Sequence, residues 1–163
     1  MPERTRGVRS QVMTSPEPVR NRAQRRKDTL SRLTQDRDAW VATSSANGRP
    51  ALVPLWFLWD RGTLLMCTRR DTVTARNLTP RGEAVVTVGP ATDVVHLSGT
   101  AEIVECDALA ADSARAFSAK LGWDPRDGAQ CVFLRIIPHT VKAWREENEQ
   151  SGRLLMRGGQ WLD

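Results

Sequence analysis

The sequence predicts a mainly β domain of about six core strands in hairpin order with one principal helix. Runs rich in valine, leucine, threonine and tryptophan are separated by Asn-Gly at 47–48 and Asp-Arg-Gly at 60–62. These turn residues accept positive φ at little cost, which is typical of hairpins. One alanine-rich stretch, 108–122, ends at a glycine and predicts a helix. With 163 residues, 40% of them hydrophobic, the chain suits one domain with a real core.

The elements can be placed in order from these patterns. Leu30 and Leu33 lie three apart and predict a short amphipathic helix within 28–38. A proline and a glycine after residue 79 end a second short helix. We expect strands at 39–45, 50–59, 63–68, 83–89, 93–105, 130–138 and 140–146, helices at 72–79 and 108–122, and a last hairpin within 154–162.

Three residues mark irregular points in these elements. Pro54 has no N–H to donate to a ladder, so its strand must have an edge, a bulge or a break there. Gly99 marks a bend or bulge in the long strand. Asp107 is a candidate N-cap for the principal helix.

The basic charge of the chain is concentrated at its N-terminal end. Residues 1–27 contain eight basic and two acidic residues, a net charge of +6, whereas the rest has 16 basic and 17 acidic residues and carries −1. With few large apolar residues, 1–27 is predicted to be a disordered basic tail, followed by a folded domain over 28–163. We expect deletion of 1–26 to leave folding and cofactor affinity nearly unchanged. The tail either is a solvated extension or touches nucleic acid or an anionic surface.

Several classes of protein are disfavoured by what the sequence lacks. No apolar run approaches the roughly 20 residues that a membrane span needs, and no secretory signal pattern is present. The cysteines, Cys67, Cys106 and Cys131, are far apart and form no CxxC motif, which argues against a metal site and a disulfide framework. We therefore expect a cytoplasmic protein without a metal.

The sequence also lacks the signatures of parallel nucleotide-binding sheets. Strands and helices do not alternate, and neither GxGxxG nor GxxxxGK[ST] occurs. The two histidines, His96 and His139, are isolated, and a lone strand histidine is usually a hydrogen-bonded structural residue. No side chain is identified as a catalytic acid, base or nucleophile.

The stretch LMCTRRDTVTARNL, residues 65–78, is the most suggestive polar segment. Arg69, Arg70 and Arg76 stand among four hydroxyl or carboxylate side chains, between a strand and a short helix. Such a segment either holds a phosphate or forms a solvated turn.

The order of the motifs resembles that of the pyridoxamine 5′-phosphate oxidase-like family, over roughly residues 29–146. The segments that carry the resemblance are NGRPALVPLWFLWDRGTLLMCTRR, then ARNL, then HLSGTAEIV. The resemblance implies a six-stranded antiparallel split β-barrel of the FMN-binding type. It also implies a homodimer with two cofactor sites at the subunit interface, binding a flavin such as FMN or the 5-deazaflavin coenzyme F420.

The resemblance also implies which residues contact the cofactor. Arg145 pairs with a phosphate or substrate carboxylate, or else is a surface arginine beside Glu146 and Glu147. The family's Arg/Lys pair, which grips the phosphate, falls here on Val73 and Thr74, so its usual cations are missing. The implied cofactor-binding residues are Val53, Pro54, Leu55 and Trp56 at the ring, Thr68, Arg69, Arg70, Thr74 and Asn77 at the phosphate, and Trp144 and Arg145 nearby.

These observations lead to one main functional hypothesis. The chain is expected to be an oxidoreductase that transfers a hydride between a flavin or 5-deazaflavin and a small organic substrate. The alternative is a non-catalytic dimeric binding or carrier module with a weakened phosphate site. Nucleic-acid binding is disfavoured because the domain outside the tail carries a charge of only −1.

Overall fold

The structure, a computed structural model, describes residues 18–79, 81–127 and 130–163. Short 3₁₀ turns lie at Pro125–Asp127 and Glu147–Glu149. The α-helices and strands of the described residues are α1 Arg22–Gln35, β1 Asp38–Ser44, β2 Pro50–Asp60, β3 Thr63–Arg69, α2 Val73–Leu78, β4 Arg81–Val88, β5 Asp93–Glu105, α3 Ala111–Leu121, β6 Cys131–Arg145, β7 Leu154–Arg157 and β8 Gln160–Trp161.

Six strands form a closed antiparallel barrel. The strand order is β3-β2-β1-β4-β5-β6, and a further pairing of β3 with β6 closes the barrel, while β7 and β8 continue the sheet beyond β6. Every pairing is antiparallel. The predicted mainly β, six-stranded antiparallel split barrel is therefore confirmed.

The expected strands 130–138 and 140–146 are one strand in the structure, and this correction has a local cause. Pro138 lies opposite Gly99, where the β5–β6 register shifts between Ser98 and Gly99. A Cβ at Gly99 would lie 2.0 Å from the Ile137 carbonyl oxygen. The close backbone approach requires glycine, and the irregular ladder accommodates a proline that lacks an N–H. The bulge expected at Gly99 is confirmed.

Pro54 lies on a free edge of β2. β2 pairs with β1 along its length, with Pro54 opposite Trp40, but it pairs with β3 only from Phe57 to Asp60. The Phe57 N–H donates to the Arg37 carbonyl at 2.9 Å. Because hydrogen-bonded pairs alternate along an antiparallel ladder, the Pro54 nitrogen faces the free edge. Of the three options that the sequence left open, the edge is the one observed.

The core has two parts, one on each side of the barrel wall. Inside the barrel, side chains from all six strands meet those of α1 and α2. On the outside, α3 packs Phe117 against Phe133 of β6, with ring centroids 5.3 Å apart and the rings perpendicular. The largest buried side chains inside the barrel are Leu33, Phe57, Leu64, Met66, Leu78, Leu97, Leu134 and Ile136.

The principal helix begins later than predicted. Residues 106–108 form a turn after β5, in which the Ala108 N–H donates to the Glu105 carbonyl. Ala110 is the N-cap, without a side-chain hydrogen bond, so Asp107 does not cap the helix. The predicted end is correct, since Gly122 adopts φ 83° and closes α3.

The N-terminal boundary also differs from the prediction. Residues 1–17 of the predicted basic tail lie outside the described residues, whereas α1 already begins at Arg22, capped by the Asn21 side chain. Arg25 is 3% exposed and donates to the Glu149 and Ser151 carbonyls. The expectation that deleting 1–26 would leave folding nearly unchanged is therefore at odds with the structure. Charged side chains dock this segment, and a search for apolar periodicity does not detect them.

Candidate functional site

The barrel is split where β2 and β3 separate. Their pairing stops at Phe57 opposite Met66. Beyond that point β2 stays with β1, while β3 stays with β6. The opening holds a pocket of about 310 Å³, at the lower end of the range for small-molecule sites. Its lining residues are Pro54, Leu55, Trp56, Cys67, Phe117 and Trp123, and we call it the slot.

Aromatic side chains form the walls of the slot. Trp56 is 46% exposed, and the Arg37 guanidinium lies 4.6 Å from its ring centroid. Trp123 is 42% exposed, and its ring lies edge-on to that of Phe117 with the ring centroids 6.2 Å apart. A large apolar surface left open in this way favours a flat, largely apolar ligand.

Phe117 and Trp123 were not predicted as site residues. They come from α3 and from the residue after its glycine cap, about 60 positions from β2 in the sequence. A signal was present, because a hydrophobic residue that follows a C-terminal glycine commonly packs back on its helix. The sequence does not show, however, which part of the barrel that helix covers.

Unpaired backbone groups border the slot. The alternation that turns the Pro54 nitrogen to the free edge also turns the Pro54 carbonyl and the Trp56 N–H to that side. The Pro54 carbonyl can accept a hydrogen bond, and the Trp56 N–H can donate one. A ring with polar groups on its rim can therefore bind apolar walls and a backbone edge together. Val53 and Leu55 are half-buried and pack against the barrel core.

Hydroxyl groups gather at the end of the slot where β3 gives way to α2. The Thr68 and Thr72 Oγ1 atoms are 3.3 Å apart. Thr72 is also the N-cap of α2, accepting from the Ala75 N–H at 3.2 Å. Asn77 donates through Nδ2 to Thr43 Oγ1 at 3.0 Å, which fixes α2 to β1. The hydroxyls are thus held next to the arginine-rich loop.

The loop arginines are paired with carboxylates at the surface. Arg69 donates to both oxygens of Asp71, at 2.9 and 3.1 Å, and Arg70 donates to Glu105. The hydrogen bond from Arg70 lowers the pKa of the Glu105 carboxyl. Both arginines are more than half exposed. Exposed ion pairs contribute little, so an anionic ligand can replace these carboxylates at small cost.

Val73 and Thr74, where the resemblance implies that a cation pair is missing, differ from each other. Val73 is 50% exposed in the first turn of α2, whereas Thr74 is 2% exposed and lies on the side of α2 that faces the barrel. The Thr74 hydroxyl is therefore not presented at the surface with those of Thr68 and Thr72. We leave Thr74 out of the group that could hold a phosphate.

Trp144 and Arg145 lie elsewhere in the same chain. Trp144 is opposite Val94 on β5, in the part of β6 that lies beyond the β3–β6 pairing, which ends at Ile136. Arg153 lies 5.2 Å from the Trp144 ring centroid. The Arg145 N–H donates to Glu149 at 2.8 Å. The predicted residues of β2 and of the β3–α2 loop therefore lie at the slot, whereas Trp144 and Arg145 do not.

Two further classes of site are not found in the described part of the chain. No group of three or more metal-ligating side chains is placed to hold a metal ion there. None of the described helices combines the length and the apolar composition that a membrane span requires.

Comparison with known proteins identifies the family. The family model of pyridoxamine 5′-phosphate oxidase matches residues 27–145, which include every barrel strand. The chain belongs to the pyridoxamine 5′-phosphate oxidase family. Among curated proteins, no match is found.

Solved structures share the fold at low sequence identity. A conserved hypothetical protein from Mycobacterium tuberculosis, Rv2991, is 19% identical with a TM-score of 0.56, covering 86% of this chain and 90% of that one. General Stress Protein 26 from Bacillus anthracis is 19% identical with a TM-score of 0.54, covering 74% and 95%. An F420 reductase is 23% identical with a TM-score of 0.53, covering 68% and 93%. These likenesses show that the chain shares its fold with these proteins.

Proposed function

We propose that this member of the pyridoxamine 5′-phosphate oxidase family is an oxidoreductase that uses FMN or coenzyme F420. It would transfer a hydride between that cofactor and a small organic substrate. The observation that carries the proposal is the slot itself, with apolar walls, an unpaired backbone edge and a hydroxyl- and arginine-rich loop at one end. A cofactor with a flat ring and a phosphate needs these three features side by side.

The residues fit such a cofactor in kind. Leu55 and Trp56 would contact the ring, while Thr68, Arg69 and Arg70 would hold the phosphate by hydroxyl and charge-assisted hydrogen bonds. The bound cofactor supplies the hydride chemistry, and the protein binds, orients and shields it. Trp123 lines the slot together with Trp56 and would cover part of the bound ring.

The slot has no charged side chain among its lining residues. Burial, together with the neighbouring Cys131 and Cys106, raises the pKa of Cys67, so this thiol stays protonated at neutral pH. Any proton needed for the reaction would therefore come from water or the substrate, and the walls would act by positioning.

We also propose that the chain works as a homodimer. Trp40, Leu52, Trp56 and Val85 lie on β1, β2 and β4, and each is at least 36% exposed on the outer face of the barrel. A contiguous apolar face of this kind is uncommon on a monomer. A second copy would cover it and close the open side of the slot. Sedimentation at micromolar concentration should show a dimer, and a stable monomer would contradict this part of the proposal.

A second candidate is supported by one position. Val73 places an exposed apolar side chain where the family has a cation for the phosphate. This substitution favours a dimeric binding or carrier module that holds its cofactor weakly and does not catalyse.

One experiment separates the two candidates. The purified chain is titrated with FMN and with coenzyme F420, following cofactor fluorescence, and the reduced complex is then mixed with a panel of unsaturated or imine compounds. An enzyme binds one cofactor and reoxidises it with a substrate, whereas a carrier binds it and shows no turnover. If neither cofactor binds at concentrations up to about 1 mM, corresponding to about −4 kcal/mol, both candidates are wrong.

A further inference from the structure

The three cysteines, far apart in the sequence, come together on one side of the barrel. Cys67 is on β3, Cys131 is the first residue of β6, and Cys106 follows the end of β5, the other neighbour of β6. All three are free and half-buried. The Cys106 thiol donates to the Cys131 carbonyl oxygen at 3.1 Å. Cys67 lines the slot.

The strand registers decide which two cysteines can be joined. Glu105 lies opposite Val132, so continuing the register by one residue places Cys106 opposite Cys131. Opposite residues have Cα atoms about 4.5–5.5 Å apart, within the range of about 4.4–6.8 Å that a disulfide spans.

Cys67 is placed less favourably for a disulfide. It pairs with Phe133, while Cys131 pairs with Arg69, so the two cysteines are diagonal neighbours. The Cα atoms of diagonal neighbours are about 7–8 Å apart, which exceeds the range that a disulfide spans. A bond between these two cysteines would therefore require backbone movement.

We propose that Cys106 and Cys131 are a reversible dithiol–disulfide pair that a hydroperoxide oxidises, with Cys67 remaining a thiol in the wall of the slot. The Cys106 sulfur attacks the outer peroxide oxygen, the O–O bond breaks, and an alcohol, or water when the oxidant is hydrogen peroxide, leaves. The resulting sulfenic acid is attacked by the Cys131 sulfur, and water leaves as the S–S bond forms. The two thiols lose two protons and two electrons in total, and the peroxide gains them.

The charges around Cys106 make this oxidation slow at neutral pH. Burial raises the pKa of Cys106, and so do Cys131, Glu105, Asp107 and Asp124. The guanidinium groups of Arg70 and Arg126 lie within electrostatic reach of the sulfur and act in the opposite direction. Because the thiolate is the nucleophile, the rate rises with pH, and the pair stays reduced unless the peroxide persists.

Formation of the Cys106–Cys131 disulfide changes the environment that sets the pKa of the Cys67 thiol. After burial, the proximity of Cys131 and a hydrogen bond with it are the largest causes that raise the pKa of Cys67. A disulfide at Cys131 removes the titratable thiol from beside Cys67. The Cys67 thiol then ionises more readily, inside the slot.

Peptide mapping of the full chain tests the proposal. The reduced protein is treated with hydrogen peroxide, free thiols are blocked, and tryptic peptides are separated with and without reductant. Trypsin cleaves after Arg115, Lys120 and Arg126, so Cys106 and Cys131 fall in different peptides. The expected product joins these two peptides, is lighter by two hydrogen atoms, and is split by dithiothreitol. A Cys67→Ser variant should still form it, whereas Cys106→Ser should not.

Other outcomes on the wild-type chain would overturn the proposal, whether or not the variants fold. They are a disulfide that includes Cys67, sulfinic acid without any disulfide, or three cysteines that remain thiols after prolonged treatment. Alkylation of Cys67 by iodoacetamide should be several-fold faster in the oxidised protein than in the reduced protein. An unchanged rate would show that the pair is not coupled to the slot.

Discussion

Two regions of this chain contain arginine–carboxylate ion pairs, which are exposed in one region and buried in the other. In the β3–α2 loop, Arg69 and Asp71 are 63% and 62% exposed. Arg20, which precedes α1, pairs with Glu149, which follows β6, at a distance of 2.7 Å. Their side chains are only 7% and 1% exposed. We call the second region the Arg20 network. Burial, rather than residue type, separates arginines that can bind a ligand from arginines that hold the fold together.

In the Arg20 network, the Glu149 carboxylate accepts hydrogen bonds from several donors. Glu149 accepts from the backbone N–H, Nε and Nη2 of Arg20 and from the Arg145 N–H. Arg20 also reaches Asp28 and Asp93. A buried charge that loses its partner is costly, while an exposed one is simply hydrated. The network is therefore structural, and the loop is free to exchange its partners.

The largest effect should come from removing one partner of the buried pair. Arg20→Ala leaves Glu149 buried with too few donors, and breaking such a pair typically costs about 3–5 kcal/mol. The free energy of unfolding from urea titration measures the loss. Arg69→Ala is the matched control and should leave the unfolding midpoint nearly unchanged. Equal stability of Arg20→Ala and the wild type would remove the distinction between the two regions.

The buried pair should also give an acid-dependent stability. Burial acts to raise the pKa of Glu149, but hydrogen bonds from Arg20 and Arg145 outweigh it and lower the pKa from 4.5 to about 2. A lowered carboxyl pKa stabilises the folded state above the unfolded-state value and loses that contribution as the pH falls. Thermal midpoints should therefore fall between about pH 4.5 and 2. Glu149→Gln should flatten this dependence, and parallel curves for the two proteins would contradict the assignment.

A smaller effect is expected from restoring the family's cations one at a time. Val73→Arg adds a charge at an exposed position and should tighten FMN binding roughly tenfold, the effect of one added charge-assisted hydrogen bond. Thr74→Lys buries a charge and should destabilise the fold instead. Fluorescence titration and urea unfolding measure the two effects. If Thr74→Lys is stable and binds more tightly, the placement of α2 is wrong.

The smallest effect should follow from releasing Arg69. Asp71→Asn removes its exposed carboxylate partner, so stability should be unchanged and FMN should bind only a few-fold more tightly. Weaker binding by this variant would indicate that Asp71 itself orients the loop for the ligand.

The strands were predictable because their signals are local. The turns at 47–48 and 60–62, the edge at Pro54 and the bulge at Gly99 all follow from the φ angles or hydrogen-bonding capacity of one or two residues. The β3–α2 loop could be identified for the same reason, since its polar residues are consecutive.

The parts that were missed depend on contacts between distant residues. Arg20 and Glu149 are 129 positions apart, and neither belongs to an apolar pattern. Phe117 and Trp123 reach the slot only because α3 covers the outside of β2, β3 and β6. Pro138 signalled a strand break, yet the strand continues because its partner is a glycine at a bulge. Single-residue preferences do not contain such information.

The most direct test of the central claim compares FMN with riboflavin, which lacks the phosphate, on the wild type and on Arg69→Ala/Arg70→Ala. If the exposed arginines hold the phosphate, the wild type prefers FMN, and the double variant loses roughly ten- to a hundredfold in FMN affinity. Its affinity for riboflavin should stay the same, and so should its unfolding midpoint. Equal FMN affinity of the two proteins, or an equal loss for both ligands, would show that the loop is a solvated turn.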